Sequence, residues 1–143
     1  MKTKLLPISR IGVIHLTWSR QLQKQLLPHG LTLKQLHVLQ ELVRNEFLFP
    51  SQIARMLFCD RPTASVVIRN LQKNGWIEKE RDPENGRRFR IVITAGGRKK
   101  VVAVRESGFA GNRGFKITDC LSMEETAQLE RLLLKVQSFL QGR

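Results

Sequence analysis

A chain of 143 residues, 41% of them hydrophobic, has room for one domain with a core, with or without an appendage. Its 25 basic and 12 acidic residues give a formal charge of +13, which favours a polyanionic partner such as nucleic acid. The sequence has no apolar run of the roughly 18 residues that a membrane span needs, no convincing signal peptide and only two cysteines, so we expect a cytoplasmic protein with reduced thiols.

The first predicted helix runs from Arg10 to Leu27, with Ser9 as its N-cap and Pro28-His29-Gly30 as its end. Its apolar residues recur along one stripe, as expected for a face that packs against something else. They are Ile11, Ile14, Trp18, Leu22 and Leu26. A terminal helix this apolar needs a cover.

A second helix is predicted to begin at Thr32, because Gln35 stands three residues later and completes a capping-box spacing. Leu36, Leu39 and Val43 are its predicted core face. The apolar stretch Phe47-Leu48-Phe49 then interrupts the pattern. Two interpretations are open for it: a lid over the core, which we favour, or the wall of a ligand cavity.

The segment from Ser51 to Asn74 predicts two short helices joined by a tight turn, which is the helix-turn-helix geometry of DNA-binding proteins. The first helix ends near Leu57, and the second starts at Arg61 with Asp60 as its N-cap and Pro62 in its first turn. Gly75 supplies the left-handed stop. The buried face of the second helix is expected to hold Ala64, Val67, Ile68 and Leu71.

The opposite face of this second helix is the expected reader of the major groove, which is entered by the N-terminal residues of a recognition helix. We expect five residues near the bases: Arg61, Pro62, Thr63, Ser65 and Val66. Arg69, further along the same face, is expected to reach a base edge or the DNA backbone.

A basic hairpin follows the helix-turn-helix. Its predicted strands run from Trp76 to Asp82 and from Arg88 to Ile93, joined through Asn85-Gly86 in a type I′ turn. Arg87 is expected at the tip, with Arg88 and Arg90 on the face opposite the alternating apolar residues, so all three are candidate DNA ligands. From Arg61 to Lys100 there are 11 basic and 4 acidic residues, so this segment carries +7 of the +13.

The C-terminal part predicts a helix that starts near Arg98 and meets Gly108, Gly111 and Gly114. These glycines favour a frayed, bent or looped segment; a close helix-packing face is the alternative. A last helix is predicted from a capping box at Ser122 and Glu125 to about Leu140. Its apolar stripe, which a second copy's first helix could cover, comprises Leu129, Leu132, Leu133, Val136 and Leu140.

Six segments between Leu31 and Arg98, in the order and at the spacing of the family, resemble the MarR family of winged-helix regulators. They are LT, Q and VL within 31–39, PSQIAR at 50–55, DRPTAS at 60–65, LQKNGWI at 71–77, and RDPE followed by Arg87, closing on TAGGR at 94–98. Family wings usually place an aspartate and a basic residue where this chain has Asn85 and Gly86, whereas Arg87 keeps the position of the wing arginine.

The resemblance implies a mainly α fold with a small β-wing: a DNA-binding domain at residues 31–98 between dimerisation helices at 1–30 and 99–143. It implies a homodimer on a pseudo-palindromic operator in double-stranded DNA, more often a repressor that a small, often aromatic, ligand releases. The dimerisation residues would be the two stripes described above. The high charge leaves open an alternative, an architectural nucleoid protein with little sequence preference.

Catalytic, metal and cofactor chemistry is not indicated. His15, His29 and His37 lack metal-ligand spacing, and the sequence has no phosphate-binding loop, nucleophile elbow or paired-carboxylate spacing. Cys59 is interpreted as a small filler of the helix-turn-helix, although a redox role for Cys59 or Cys120 stays open. We therefore expect no enzyme activity.

Overall fold

The computed structural model describes residues 4–109 and 117–143, which fall into two compact units divided after Phe109. Within the described residues, the fold is mainly α, with six α-helices and one two-stranded antiparallel sheet, as predicted. In chain order these are α1 (Pro7–Leu26), α2 (Leu33–Arg44), α3 (Pro50–Met56), α4 (Arg61–Lys73), β1 (Ile77–Arg81), β2 (Phe89–Ile93), α5 (Ala95–Glu106) and α6 (Met123–Gln141). Two short 3-10 helices lie at Leu27–His29 and Ile117–Cys120.

Helix α1 begins at Pro7, so the predicted N-cap at Ser9 is wrong. Proline fits the first helical turn because that position needs no backbone N–H donor, and its ring fixes φ near the helical value. The 3-10 turn and Gly30, at φ 65°, end the helix as predicted. Only its C-terminal half is buried, at Leu22 and Leu26.

Helix α2 has the predicted capping box. The Gln35 N–H donates to Thr32 Oγ1 at 3.1 Å, and the Thr32 N–H donates to Gln35 Oε1 at 2.9 Å. Leu36 and Leu39 are buried, but Val43 is exposed, contrary to prediction. The buried arc is centred on Leu39 and Leu42, and Val43 lies at its edge in the last turn.

Helices α3 and α4 form the predicted helix-turn-helix. Asp60 caps α4 by accepting the Thr63 N–H at 2.7 Å, and Gly75 ends the motif at φ 75°. The Thr63 hydrogen bond also lowers the pKa of the Asp60 carboxyl, which therefore stays ionised at the positive end of the helix. The predicted core face is buried throughout: Ala64, Val67, Ile68 and Leu71.

Strands β1 and β2 pair from Ile77 with Ile93 to Arg81 with Phe89. The Leu48 N–H donates to the Ile91 carbonyl at 3.0 Å and the Ile91 N–H donates back at 2.7 Å, so Leu48 adds a third, one-residue edge to the wing. Backbone pairing with β2 therefore fixes the Phe47–Phe49 stretch. Its three side chains are half-buried, and Phe49 also lines a cleft beside the wing.

The predicted type I′ turn at Asn85-Gly86 is wrong. Neither residue has the positive φ that this turn needs. Seven residues, 82–88, separate the strands, whereas the predicted strand bounds leave five. Two successive hydrogen-bonded turns fill the space: the Asn85 N–H donates to the Asp82 carbonyl at 3.2 Å, and the Arg88 N–H donates to the Asn85 carbonyl at 2.9 Å. Pro83 favours the first of them because its fixed φ suits the second position of a turn.

Helix α5 starts at Ala95, earlier than predicted, because Thr94 caps it by accepting the Gly97 N–H at 3.1 Å. It ends before Gly108, whose φ is 81°. Gly111 and Gly114, the other members of the predicted glycine series, lie outside the described residues.

Helix α6 opens with the predicted Ser122–Glu125 capping box, whose hydrogen bonds also lower the pKa of the Glu125 carboxyl. Within its own unit, the apolar stripe of α6 is exposed along its whole length. The stripe comprises Leu129, Leu132, Leu133, Val136 and Leu140.

Candidate nucleic-acid interface

The outward face of α4 holds all six residues that the sequence predicts as DNA ligands on this helix. Thr63, whose backbone N–H donates to the capping Asp60, is half-buried, and the other five are exposed. They are Arg61, Pro62, Ser65, Val66 and Arg69. Charged, hydroxyl and apolar groups thus stand together on one exposed surface, which is the mixture that base edges and thymine methyl groups require.

Arg88 is held in place on the wing by a carboxylate and a ring. Its Nε and Nη2 donate to Asp82 Oδ2 at 2.9 and 2.7 Å, and its guanidinium lies 3.8 Å from the centre of the Phe49 ring. Asp82 is only 5% exposed, and the hydrogen bond from Arg88 lowers the pKa of its carboxyl group. The wing is therefore braced by an ion pair at neutral pH.

A second, looser pair holds Arg90, whose Nε donates to Glu80 Oε2 at 3.2 Å and whose guanidinium lies 5.0 Å from the Phe47 ring centre. Strand register places Glu80 directly opposite Arg90. The sequence pattern predicts Arg88 and Arg90 as cations facing DNA but gives no partner for either. The six-residue spacing of Asp82 and Arg88 across a turn is the signal that could have indicated the brace.

Arg87 differs from its two neighbours. Its backbone N–H donates to Asn85 Oδ1 at 3.2 Å, and its side chain is exposed at the wing tip. Among the described carboxylates, none forms an ion pair with it. The tip is also supported by Arg81, whose Nη1 donates to the Gly86 carbonyl at 3.1 Å. The guanidinium of Arg87 is therefore presented on a fixed backbone with its charge uncompensated.

A cleft of about 400 Å³ lies between the helix-turn-helix and the wing. It brings four predicted DNA ligands together, Arg61, Ser65, Arg87 and Arg88. The hydroxyl of Ser51 also lines it, and none of its described lining residues is acidic. Guanidinium groups bind phosphate oxygens through paired, charge-assisted hydrogen bonds. The arrangement is suited to an anionic backbone that runs between α4 and the wing.

A larger, open-sided cavity of about 940 Å³ lies between α1, α2 and the helix-turn-helix. Its wall combines apolar side chains with His15, Arg20, Lys34 and His37, and none of its described lining residues is acidic. The apolar part consists of Leu16, Leu33, Met56, Leu57, Phe58, Val66 and Val67. The sequence pattern did not indicate this cavity, because its residues come from four segments that only the fold brings together.

The described residues hold no cluster of three or more histidine, cysteine or acidic side chains that could bind a metal ion. Cys59 is half-buried in the helix-turn-helix and Cys120 is exposed. Of the helices in residues 4–109 and 117–143, none combines the length and apolar character that crossing a bilayer requires.

The chain is similar to known proteins both in sequence and in fold. The model of the MarR family matches residues 29–88, and no curated protein sequence shows significant similarity. Among solved structures, the chain is similar to MepR of S. aureus bound to DNA, at 27% identity and a TM-score of 0.84 over 94% of this chain and 98% of that one. It is also similar to a MarR mutant of E. coli in complex with operator DNA, at 25% identity and a TM-score of 0.80 over 92% and 94% of the two chains.

The similarity extends to wild-type E. coli MarR in its apo form, at 25% identity and a TM-score of 0.71 over 93% of this chain and 98% of that one. The family match covers α2 to the wing tip, which is the segment that carries the exposed basic groups. The structural matches extend over nearly the whole of each chain. Residues 29–88 therefore match the MarR family, and the helix-turn-helix, the wing and the topology agree with those of the DNA-bound MarR and MepR structures.

Proposed function

We propose that this protein is a cytoplasmic homodimer that binds a specific, pseudo-palindromic operator in double-stranded DNA and represses transcription until a small aromatic ligand releases it. One observation carries the DNA-binding part: α4 and the wing present Arg61 and Arg87 on the same cleft, beside an exposed, chemically mixed helix face. The solved DNA complexes of MarR and MepR, which share the fold, support it.

In the proposed complex, the N-terminal part of α4 enters the major groove. Pro62 and Val66, both exposed, pack on thymine methyl groups, while Thr63 and Ser65 offer hydroxyls to base edges. Arg69 contacts a base edge or the backbone. Arg87 enters the minor groove or binds its phosphates, where negative potential attracts arginine.

Arg88 and Arg90 have a different proposed part in DNA binding. Each keeps its carboxylate partner, Asp82 or Glu80, and contacts the DNA backbone only through its remaining N–H groups. Their larger contribution is to hold the wing in place, so that Arg87 is correctly presented.

The position of Arg61 is compatible with two kinds of DNA contact. At the start of α4, it is near enough to the major groove of the proposed complex to contact a guanine. It also lines the 400 Å³ cleft, where a phosphate would bind. A base contact discriminates by about 1–3 kcal/mol, whereas a phosphate contact weakens all sequences alike and lowers the salt slope by about one unit.

The first experiment selects bound fragments from randomised DNA with the purified protein and compares the recovered operator with random DNA at fixed salt. An affinity ratio of about a thousand or more marks a specific regulator, and a ratio near one marks the architectural alternative. Arg61→Ala and Arg69→Ala are then measured on both DNAs at two salt concentrations. A loss confined to the operator identifies a base contact, and equal losses identify a phosphate contact.

Arg44→Ala is the matched control for these variants. Arg44 is exposed at the end of α2, pairs with Glu41 at 3.1 Å and lies outside the cleft, so its removal changes the net charge equally without touching the interface. If Arg61→Ala, Arg69→Ala and Arg44→Ala all bind like wild type on both DNAs, the proposed placement of α4 is wrong.

The homodimer is proposed from the two apolar stripes. Ile11 and Ile14 on α1 are exposed and Trp18 is half-buried, while the stripe of α6 is exposed along its length. Contiguous apolar surface of this kind marks an interaction site. Light scattering is expected to give twice the 16.5 kDa of one chain, and a stable monomer at micromolar concentration would exclude this part of the proposal.

Release of DNA by a small ligand is proposed from the 940 Å³ cavity, because its volume lies in the range of small-molecule binding sites. Apolar walls favour a ring, and the neighbouring Arg20 and Lys34 favour a negative charge, so the proposed ligand is an aromatic anion. Val66 and Val67 of α4 line this cavity, so a ligand bound there would contact the recognition helix directly. Release of operator DNA by aromatic carboxylates, measured by fluorescence anisotropy, tests this step.

A further inference from the structure

Phe58 occupies an unusual backbone conformation in the turn between α3 and α4. Its φ is 51°, in the left-handed region, and every other described residue with positive φ is a glycine. The turn itself is well bonded: the Phe58 N–H donates to the Arg55 carbonyl at 3.2 Å and the Cys59 N–H donates to the Ala54 carbonyl at 3.1 Å. For a bulky side chain this conformation is strained, because Cβ crowds the following carbonyl oxygen.

The side chain of Phe58 gains no burial in return for that strain. It is 88% exposed, the highest exposure of any described phenylalanine. A glycine would fit the left-handed turn without strain and would remove an exposed apolar ring from solvent. Neither local conformation nor core packing therefore explains a phenylalanine at this position, and strained residues of this kind concentrate at functional sites.

The position of the ring suggests the reason. Phe58 lines the 940 Å³ cavity together with Met56 and Leu57, and Leu16 and Val66 also line it. Among the described lining residues it is the only one with a phenyl ring; the two histidines of the wall provide the other aromatic rings. A ring on this wall can stack on a planar ligand whose charge faces the basic side chains of α1 and α2.

We infer that Phe58 is the specificity-determining residue of this cavity, and that it selects planar aromatic carboxylates by stacking on their rings. The inference rests on the proposed ligand site and assigns the residue that sets its preference. Phe58 stands two residues before Asp60, whose hydrogen bond to Thr63 caps α4. A ligand that stacks on Phe58 therefore engages the segment that fixes the start of the recognition helix.

The test uses the full-length protein, isothermal titration calorimetry and two probes of similar size: naphthoate and its fully saturated counterpart, decalin carboxylate. Wild type is expected to bind naphthoate several-fold more tightly than the saturated acid. Phe58→Gly is expected to weaken naphthoate binding about tenfold, which corresponds to about 1.4 kcal/mol. Phe58→Leu, which keeps apolar bulk and removes the aromatic face, is expected to abolish the preference between the two probes.

Two further measurements distinguish a structural role of Phe58 from the absence of a ligand site. Phe58→Gly should melt at or above the wild-type temperature, because it relieves the left-handed strain, whereas a clear fall would give Phe58 a structural role and overturn the inference. Leu16→Trp, which fills the cavity from α1, should abolish binding of both probes.

If Leu16→Trp abolishes binding but Phe58→Gly binds naphthoate within about twofold of wild type, the ligand site stands and the assignment of Phe58 is wrong. If wild type binds neither probe, or Leu16→Trp binds as well as wild type, the ligand site and the role of Phe58 are refuted together.

Discussion

Replacing Gly97 by alanine tests how tightly helix α5 is packed on the base of the wing. Gly97 lies in the first turn of α5, buried against the residues that flank the sheet. A Cβ added there would stand 2.2 Å from the Trp76 carbonyl oxygen and 2.7 Å from Ile93 Cγ1. Both distances are far below van der Waals contact, and the oxygen belongs to backbone that also accepts the Thr94 N–H at 3.0 Å.

The loss of stability in Gly97→Ala depends on how far Trp76 and the start of α5 must move apart. Relief of the clash needs a shift of about 1 Å between Trp76 and the start of α5, and overpacking of this kind costs about 1–3 kcal/mol. Such a shift also weakens the Thr94 hydrogen bond, worth about 0.5–1.5 kcal/mol. We therefore expect Gly97→Ala to lower the free energy of unfolding by about 2–4 kcal/mol, which is about 4–16 °C in melting temperature for a chain of this size.

The neighbouring glycine provides a matched control. A Cβ on Gly96 would meet the Gly75 carbonyl oxygen at 3.5 Å, an ordinary contact, and alanine is the better helix former by about 0.5–1 kcal/mol. Urea denaturation followed by circular dichroism is expected to show Gly96→Ala at or above wild-type stability and Gly97→Ala well below it. Equal stability of the two variants would refute the close packing of α5 against the wing.

Three other predictions concern the interface, the brace and the assembly. Arg87→Ala is expected to weaken operator binding several-fold and to lower the slope of log K against log salt by about 1.8, about 0.9 for each copy in a dimer, with Arg44→Ala unchanged. Because the folded-state pKa of Asp82 is lowered, its stabilisation is present above pH of about 4 and is lost as pH falls through the folded pKa. Urea titrations should thus show Asp82→Asn less stable than wild type at pH 7 but converging with it near pH 2. If the protein is the proposed homodimer, Leu133→Glu, in the exposed stripe of α6, is expected to give the monomer mass by light scattering, and a dimer mass for this variant would exclude the stripe from the interface.

Local signals in the sequence predicted most of the helix ends correctly, although the N-cap at Ser9 was wrong. The capping boxes at Thr32 and Ser122, the cap at Asp60 and the stop at Gly75 each depend on residues within one turn, and the structure confirms all four. The apolar face of α4 was also predictable, because its period leaves only one side of a short helix able to face a core.

Features that depend on distant residues were not predictable in the same way. Asn85-Gly86 is a strong local turn signal, but the Asp82–Arg88 ion pair and two hydrogen-bonded turns determine the loop length instead. The third edge of the wing forms because Leu48 meets Ile91, 43 positions further along the chain. The cavity beside Phe58 likewise needs four segments in place, and a left-handed phenylalanine has no signature in sequence alone.

The double turn at the wing tip also affects the entropy of DNA binding. Its backbone hydrogen bonds, together with the ion pair between Asp82 and Arg88, order residues 82–88 before any DNA is present. Fixing a flexible backbone costs about 1–2 kcal/mol per residue, and in this wing that loss is incurred during folding instead of association. In the proposed complex, Arg87 would therefore reach DNA from a preorganised loop, and its contact would strengthen binding with little loss of conformational entropy.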